Sequence, residues 1–220
     1  MTTSTLTQVT ETRETFFARL TPFFAPSDIL DIQLAYTLAK FAHRAQTRSE
    51  TDEAGKPLRY FEHVRRVAIN LIDVARMPDK NMVIAALLHD GVEDTRDITF
   101  ELIDHSFGAD VARLVRTLTK EPKEGYLDRF SITTDWRPYA IKACDRLDNL
   151  QSLSSCTVEF QQKQVDETRT KYYPLFDRMV ELTPTIWRAQ SELLRAAIIA
   201  QTERSAGRLE GQWLMKANLS

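Results

Sequence analysis

The chain has 220 residues, of which 43% are hydrophobic and 27% are charged, and its formal net charge is −2. This composition is typical of a folded globular protein and excludes a disordered chain, while the near-neutral balance argues against a nucleic-acid binder with a broad basic face. The 6 glycines and 8 prolines are about half the usual share, which disfavours a sheet-rich fold with many tight turns.

Apolar residues recur at intervals of three and four along nearly the whole chain, which predicts helices. The segment 82–88 is apolar on every side and is typical of a buried central helix. No segment predicts a strand, so we expect an all-α helical bundle formed as a single domain, 1–220. Its core would span about 28–182, with an N-terminal helix at 5–25 and additional C-terminal helices at 185–217. Within these limits the spacing predicts helices at 28–45, 64–72, 82–88, 100–103, 111–118, 138–153, 158–182 and 185–201.

Two segments, 48–59 and 121–137, interrupt this pattern. Both are polar and contain glycine and proline, which predicts loops. Binding residues are often carried by loops on a rigid frame, so both segments are candidates for contacts with a ligand.

A histidine and three carboxylates lie within six residues, immediately after the apolar helix. They are His89, Asp90, Glu93 and Asp94. Burying ionisable groups costs several kcal/mol each unless an opposite charge compensates. A divalent cation would supply that charge, so this cluster predicts a metal site.

Two neighbouring ligands do not hold a catalytic metal, and His63 and Asp145 are the further candidates. Together with His89 and Asp90 they form a set of two nitrogen and two oxygen donors. Such a set suits Mn²⁺ or Fe²⁺, with positions left for water and substrate. The spacing of these residues fits no short local motif and does not by itself select them.

Several motifs occur in order along the chain and together resemble the HD-domain phosphohydrolases. The likeness extends from about residue 30 to about residue 180 and is most specific to the hydrolase domain of the RelA/SpoT homologues, closest to the stand-alone small alarmone hydrolases. The motifs are Phe41-Ala42-His43, Tyr60-Phe61-Glu62-His63, Leu87-Leu88-His89-Asp90, Glu93-Asp94-Thr95, Phe107-Gly108, Leu118-Thr119-Lys120 and 142–150 (KACDRLDNL).

This resemblance implies an all-α HD fold and a hydrolase that removes the 3′-pyrophosphate from (p)ppGpp, an alarmone of the stringent response. It implies one Mn²⁺ per chain, held by His63, His89, Asp90 and Asp145, although such donors also accept Fe²⁺, Co²⁺ or Zn²⁺. Matched residue by residue, Glu93 and Asp94 would be the catalytic acidic pair. The residues expected to contact the nucleotide are Arg48, Lys142, Asn149, Ser152 and Tyr172, and Arg146 is a further cationic candidate.

Some positions depart from the family pattern and leave the substrate open. Arg48-Ser49 stands where relatives usually carry an arginine-lysine pair, and Gly91 and Gln151 also differ. Guanine over adenine is therefore undecided, and (p)ppApp, NADPH or another phosphorylated nucleotide remain alternatives. A metal-dependent nucleotide sensor that does not cut is a further alternative, against which the Glu93-Asp94 pair argues.

The sequence also predicts where the protein acts and with what. The N-terminal segment lacks the apolar stretch that a secretory signal contains. The longest apolar run is far shorter than the roughly 20 residues that a membrane span needs. The two cysteines form no CxxC pair. We therefore expect a cytoplasmic protein whose partner is a small purine nucleotide with a 3′-pyrophosphate, with no nucleic acid and no membrane. The apolar C-terminal stripes are compatible with a homo-oligomer.

Overall fold

A computed structural model describes residues 11–217, with side chains as far as residue 212. The all-α class predicted from the sequence is confirmed, apart from one short hairpin. The elements are α1 (Arg13–Leu20), α2 (Pro26–Ala42), β1 (Thr47–Thr51), β2 (Pro57–Arg59), α3 (Phe61–Asp73), α4 (Lys80–Leu88), α5 (Gly91–Asp94), α6 (Phe100–Phe107), α7 (Ala109–Leu118), α8 (Tyr126–Ile132), α9 (Arg137–Gln151), α10 (Val158–Glu167), α11 (Tyr173–Leu182) and α12 (Thr185–Ala217).

Helix α4 is the centre of the fold, as its apolar sequence predicts. Every residue from Met82 to Leu88 is buried, and the helix packs against α2, α3, α7 and α9. Asp79 begins the helix by accepting a hydrogen bond from the Met82 amide at 2.9 Å, which satisfies one of the free amides of the first turn. The helix ends at Leu88, so His89 and Asp90 emerge directly from the core.

The expectation that 48–59 contains no strand is wrong. β1 and β2 pair as an antiparallel hairpin, with Thr47 opposite Arg59 and Thr51 opposite Pro57. Its turn contains Gly55 in the left-handed region (φ 77°), where a residue with a side chain would be strained. The strands are short, and their alternation of exposed and half-buried residues involves polar side chains, so the sequence shows no apolar period of two.

Three further segments differ from the expected helices. The predicted loop 121–137 contains α8, whose Tyr126 and Phe130 are buried. The predicted helix 158–182 is divided into α10 and α11 by a π-helical turn at Thr168–Tyr172. The C-terminal region 185–217 forms one helix, α12, where several had been expected.

At the N-terminus, α1 covers Arg13–Leu20 of the predicted helix 5–25, and a turn separates it from α2. Residues 5–10 of that prediction lie outside the described residues. The boundaries of the single domain and of its core, 28–182, stay a prediction. Over the described part of the chain, none of the helices combines the length and the apolar character that crossing a membrane requires.

Candidate functional site

Three of the four predicted metal ligands offer atoms within 4.8 Å of one another: His63, His89 and Asp145. His63 lies in the first turn of α3, His89 caps the end of α4 and Asp145 lies in the middle of α9. The Oδ1 atom of Asp145 is 3.3 Å from His63 Nε2 and 3.9 Å from His89 Nε2, and all three side chains are buried. The packing of three helices therefore assembles a set of donors from distant parts of the sequence.

The fourth predicted ligand, Asp90, borders the same point. Its Oδ2 atom is 3.1 Å from His89 Nε2 and 3.6 Å from His63 Nε2. The hydroxyl of Tyr60 donates a hydrogen bond of 2.6 Å to the same oxygen. Asp90 lies between α4 and α5, and this break in the helix allows two consecutive residues, His89 and Asp90, to face one centre.

Both histidines are oriented through their Nδ1 atoms. His89 Nδ1 lies 2.9 Å from the Ala86 carbonyl, and His63 Nδ1 lies 2.7 Å from Asp148 Oδ2. A hydrogen bond donated by Nδ1 leaves Nε2 as the nitrogen that can bind a metal. The Nε2 atom of His89 is buried and has no hydrogen-bond partner among the described residues, which fits a position for a cation.

The electrostatics of the cluster favour positive charge at its centre. Burial lowers the pKa of His63, but hydrogen bonds to Asp145, Asp148 and Asp90 outweigh burial and raise this pKa to about 10. Burial alone would raise the pKa of Asp145, yet Lys142 and the two histidines hold that pKa well below its ordinary value. The donor set is thus charged and buried, and its two imidazoles and two carboxylates fit a divalent ion.

Glu93 and Asp94 lie on α5, the short helix that follows Asp90. Glu93 Oε2 accepts a hydrogen bond of 2.9 Å from the Lys120 amide, and Glu93 Oε1 is 3.7 Å from the Lys120 ammonium. Asp94 has a raised pKa because of partial desolvation and the neighbouring charges of Asp90 and Glu93. One carboxylate is therefore held in place, and the other binds a proton more readily than an ordinary aspartate.

Helix α5 begins at Gly91, one of the positions that departs from the family pattern. A Cβ atom built there would lie 2.7 Å from Ile98 Cδ1. The isoleucine thus occupies the space that a side chain at position 91 would need, which explains the glycine at this position.

A cavity of about 630 Å³ adjoins the cluster on the side of Asp145. Three of the residues predicted to contact a nucleotide line it, and cationic and aromatic side chains lie beside them. Arg48 and Ser152 are not among the described residues that line it. The lining includes Lys120, Lys123, Tyr126, Lys142, Asp145, Arg146, Asn149, Phe160, Lys171 and Tyr172.

Inside this cavity the side chains predicted to contact a nucleotide are held by other protein groups. The ammonium of Lys142 lies 2.5 Å from Asp145 Oδ2, and Asn149 donates a hydrogen bond of 2.7 Å to Asp145 Oδ1. The guanidinium of Arg146 lies over the ring of Tyr172, 3.7 Å from its centroid. These contacts combine a buried cation with a rigid aromatic wall.

Arg48 lies on β1, between the hairpin and the end of α9. Its Nη2 atom donates hydrogen bonds to Asn149 Oδ1 at 3.0 Å and to Ser152 Oγ at 3.1 Å, while its Nε atom donates to Glu50 Oε2 at 2.8 Å. The structure thus brings Arg48, Asn149 and Ser152 together. The guanidinium of Arg48 is hydrogen-bonded to these two residues and to Glu50.

Two charged residues next to the cluster, buried Asp148 and partly exposed Arg66, were given no role from the sequence. Asp148, which could have been a surface charge of a helix, is 1% exposed and is paired with His63 and Arg66. A signal was present, because Arg66 follows His63 by three residues and Asp148 follows Asp145 by three. Such spacing places each pair on one face of a helix, but only the packing of α3 on α9 joins the two faces.

Tyr60 is part of one of the family motifs, but the sequence assigned it no role. It donates to Asp90, and its ring stacks on the imidazole of His43 at 4.9 Å between centroids. His43 is fully buried, its Nδ1 lies 2.6 Å from Gln46 Oε1, and burial lowers its pKa. A neutral imidazole therefore supports the tyrosine that holds Asp90.

The family model, the curated relatives and a solved structure that resemble this chain point to the same family. The family model described as "HD domain" matches residues 35–129. A guanosine-3′,5′-bis(diphosphate) 3′-pyrophosphohydrolase of Aquifex aeolicus is 36% identical over 177 residues, which are 76% of this chain and 23% of that protein. The chain thus spans about a quarter of the length of the first curated relatives that it matches.

Shorter relatives are matched over most of their length. The guanosine-3′,5′-bis(diphosphate) 3′-pyrophosphohydrolase MESH1 of Drosophila melanogaster is 34% identical, with 65% of this chain and 79% of that protein aligned. Human MESH1 is 35% identical over 60% of this chain and 75% of that protein. A solved structure of a metazoan ortholog of SpoT that hydrolyzes ppGpp superposes with a TM-score of 0.55 at 28% identity, covering 79% of this chain and 94% of that one.

Proposed function

The chain belongs to the HD-domain family of guanosine-3′,5′-bis(diphosphate) 3′-pyrophosphohydrolases that includes MESH1, and we propose that it removes the 3′-pyrophosphate from (p)ppGpp-type alarmone nucleotides. The observation that carries this proposal is the convergence of His63, His89, Asp90 and Asp145 at the edge of a basic cavity. The charge and size of this cavity suit one small phosphorylated nucleotide. The net charge of the whole chain, −2, gives no support to a nucleic-acid ligand.

We propose that these four residues hold one Mn²⁺ per chain. Two imidazoles and two carboxylates suit Mn²⁺, and the same donors accept Fe²⁺, Co²⁺ or Zn²⁺. When bound, such a cation neutralises the charge of a phosphate ester and makes a water nucleophile available at neutral pH. The residues around it supply the orientation: Tyr60 holds Asp90, Asp148 holds His63, and the Ala86 carbonyl holds His89.

Glu93 and Asp94 are the proposed acid–base pair. Proton transfer by a positioned carboxylate contributes about 10²–10⁴-fold to a hydrolytic rate and is most effective when its pKa lies near the working pH. The raised pKa of Asp94 moves that carboxyl in the required direction, and the bond from the Lys120 amide fixes Glu93. A protein that only sensed nucleotides would not need this pair.

The nucleotide would occupy the cavity lined by Lys142, Asn149 and Tyr172, with Arg146 beside them. Cationic side chains there favour the phosphates, and the aromatic ring favours the base or ribose. Arg48 and Ser152 would reach the base when Arg48 exchanges its hydrogen bond to Asn149 for one to the nucleotide. Arg48 is then the group on which the choice between guanine and adenine depends.

We also propose a cytoplasmic location, with a role in the stringent response. Two free cysteines, one of them buried, are compatible with a reducing compartment. A homo-oligomer stays a prediction, which the exposed Ile186 and Leu193 of α12 support.

One assay tests the proposal against its alternatives. The Mn²⁺-loaded protein is incubated separately with ppGpp, pppGpp, (p)ppApp and NADPH, and the products are separated by anion exchange. We expect pyrophosphate and the 5′-phosphorylated nucleoside from ppGpp. Release from (p)ppApp alone would move the substrate to adenine alarmones, and phosphate from NADPH would indicate a different hydrolase. Binding without any product would indicate a sensor.

A further inference from the structure

A continuous series of charged side chains leads from the metal cluster to the hairpin. Asp148 Oδ2 lies 2.7 Å from His63 Nδ1, and Asp148 Oδ1 accepts a hydrogen bond of 2.5 Å from Arg66 Nε. Arg66 Nη2 also donates to Glu50 Oε2 at 2.8 Å, and the same oxygen accepts from Arg48 Nε at 2.8 Å. Arg66 and Arg48 thus both donate hydrogen bonds to the carboxylate of Glu50, on β1.

Asp148 is an unusual residue to bury. Its side chain is 1% exposed, and removing an unpaired carboxylate from water would cost several kcal/mol. Asp148 is instead paired on both oxygens, because Oδ2 lies 2.7 Å from His63 Nδ1 and Oδ1 accepts a hydrogen bond from Arg66 Nε. An apolar residue between α3 and α9 would avoid this cost, so packing alone gives no reason for the carboxylate.

The position of Asp148 gives a reason. A carboxylate that accepts from Nδ1 of a histidine selects the tautomer in which Nε2 is free, prevents rotation of the ring and increases the basicity of Nε2. His63 Nε2 is the atom that lies 3.3 Å from Asp145 and 3.6 Å from Asp90. His89 obtains the same orientation from a neutral carbonyl, so only His63 receives a charged partner.

We propose that Asp148, held in place by Arg66, is a positioning residue that orients His63 and strengthens the binding of a divalent cation by the His63–His89–Asp145 cluster. This inference rests on the metal site of the proposed function. Asp148 itself does not face the centre, because its two oxygens are engaged by His63 and Arg66 on the far side of the imidazole.

The variants are chosen to separate positioning from general stability. Asp148→Asn has the same shape but no charge, and Asp148→Ala removes the acceptor altogether. Arg66→Gln loosens Asp148 from a side chain that is 29% exposed, where a polar replacement is tolerated. The matched control is Asp110→Asn, which breaks another carboxylate–arginine pair across α7 and α9, Asp110 with Arg137, outside the cluster.

The experiment is a calorimetric titration of Mn²⁺ alone into chelator-treated protein, with thermal unfolding measured on the same samples. Loss of an outer hydrogen-bond partner typically weakens a metal site by about 10–100-fold. We expect the Mn²⁺ dissociation constant to rise by about 10-fold in Asp148→Asn and Arg66→Gln and by up to about 100-fold in Asp148→Ala. Asp110→Asn should lower the unfolding temperature and leave the dissociation constant unchanged.

Each outcome decides the question. Dissociation constants within about twofold of the parental value in folded Asp148 or Arg66 variants would overturn the inference and leave the proposed function intact. If Asp148→Ala does not fold, Asp148→Asn and Arg66→Gln supply the measurement. Absence of Mn²⁺ binding by the parental protein would instead overturn the proposed metal site, and with it any positioning role for Asp148.

Discussion

The ammonium of Lys142 lies 2.5 Å from Oδ2 of Asp145, which is one turn later on α9, while the other oxygen of the same carboxylate faces His63 at 3.3 Å. Both side chains are buried. One carboxylate therefore joins the two proposed sites, because it belongs to the proposed metal cluster on one side and holds the Lys142 ammonium at the proposed nucleotide cavity on the other. The arrangement predicts opposite effects on metal and substrate when Lys142 is replaced.

Lys142→Met should raise the KM for ppGpp by at least about tenfold, because a charged hydrogen-bonding group is worth about 1.5–3 kcal/mol to a phosphate. The affinity for Mn²⁺ should not fall, since the substitution makes the cluster more negative. Steady-state kinetics and calorimetry measure the two quantities. Lys80→Met, at a surface pair with Asp28 and Asp31, is the control and should change neither. Weakened Mn²⁺ binding with an unchanged KM would contradict the assignment.

Removal of the metal should abolish turnover. Treatment with a chelator followed by gel filtration is expected to leave an inactive protein that Mn²⁺ restores. Asp145→Ala and Asp90→Ala should stay inactive after the same treatment, because each lacks one oxygen donor of the set. Release of pyrophosphate is the measurement. Full activity in the chelated parental protein would refute the metal-dependent mechanism.

Glu93→Gln should separate binding from chemistry. The amide is isosteric and can still accept from the Lys120 amide, so Mn²⁺ and ppGpp should bind nearly as in the parental protein. The catalytic constant should fall by about 10²–10⁴-fold, the usual contribution of a general acid or base. Single-turnover kinetics and equilibrium binding are compared with those of Glu101→Gln, an exposed carboxylate in the first turn of α6. A loss of binding equal to the loss of rate would assign Glu93 a structural role.

Arg48→Gln should act on the nucleotide without affecting the metal. Arg48 contacts Asn149 and Ser152 and does not belong to the metal cluster, so we expect a KM raised by about tenfold with a smaller change in kcat. The ratio of kcat/KM for ppGpp over ppApp should move toward one if Arg48 reads the base. Arg44→Gln is the matched control, since that arginine is exposed and pairs with Asp97. An unchanged ratio would remove Arg48 from base recognition.

Acid stability should depend on Asp110. Hydrogen bonds from Arg137, Asn81 and Arg113 lower its pKa in the folded protein, so its contribution to stability is complete above the unfolded pKa of about 4 and is lost as the pH falls through the folded value. The free energy of unfolding of the parental protein should exceed that of Asp110→Asn at neutral pH, and this difference should shrink steadily below about pH 4. Urea unfolding at several pH values measures it. A difference independent of pH would exclude the charged pair as its source.

Much of the fold could be predicted from the sequence because helical periodicity is a local signal. The run from Met82 to Leu88 is apolar on all sides, and such a helix can only be stable when neighbours cover every face, as α2, α3, α7 and α9 do. The hairpin at β1 and β2 lacks such a local signal. Its residues are polar and show no apolar alternation, so the sequence did not predict its strands. The burial of α8 was hidden similarly, because Tyr126 and Phe130 are too few to establish a period.

The residue types of the candidate site were visible in the sequence, but their connections were not. The cluster of His89, Asp90, Glu93 and Asp94 stood out because an apolar helix that ends in several charges requires compensation. His63 and Asp145 were candidates by residue type, but the resemblance to a family was needed to select them, since no local spacing relates residues on α3 and α9. The roles assigned to these residues stay predictions that the variants above will test.

The sequence by itself determined the helical class, the buried central helix and the presence of a charged group where that helix ends, because each follows from chemistry within a few neighbouring residues. Only the tertiary structure decided that Asp148 is buried against His63, that Arg66 and Glu50 connect this pair to Arg48, and that Lys142 neutralises Asp145. These are interactions between helices, and their strength depends on burial and on distances of a few ångströms. Local sequence carries no measure of either.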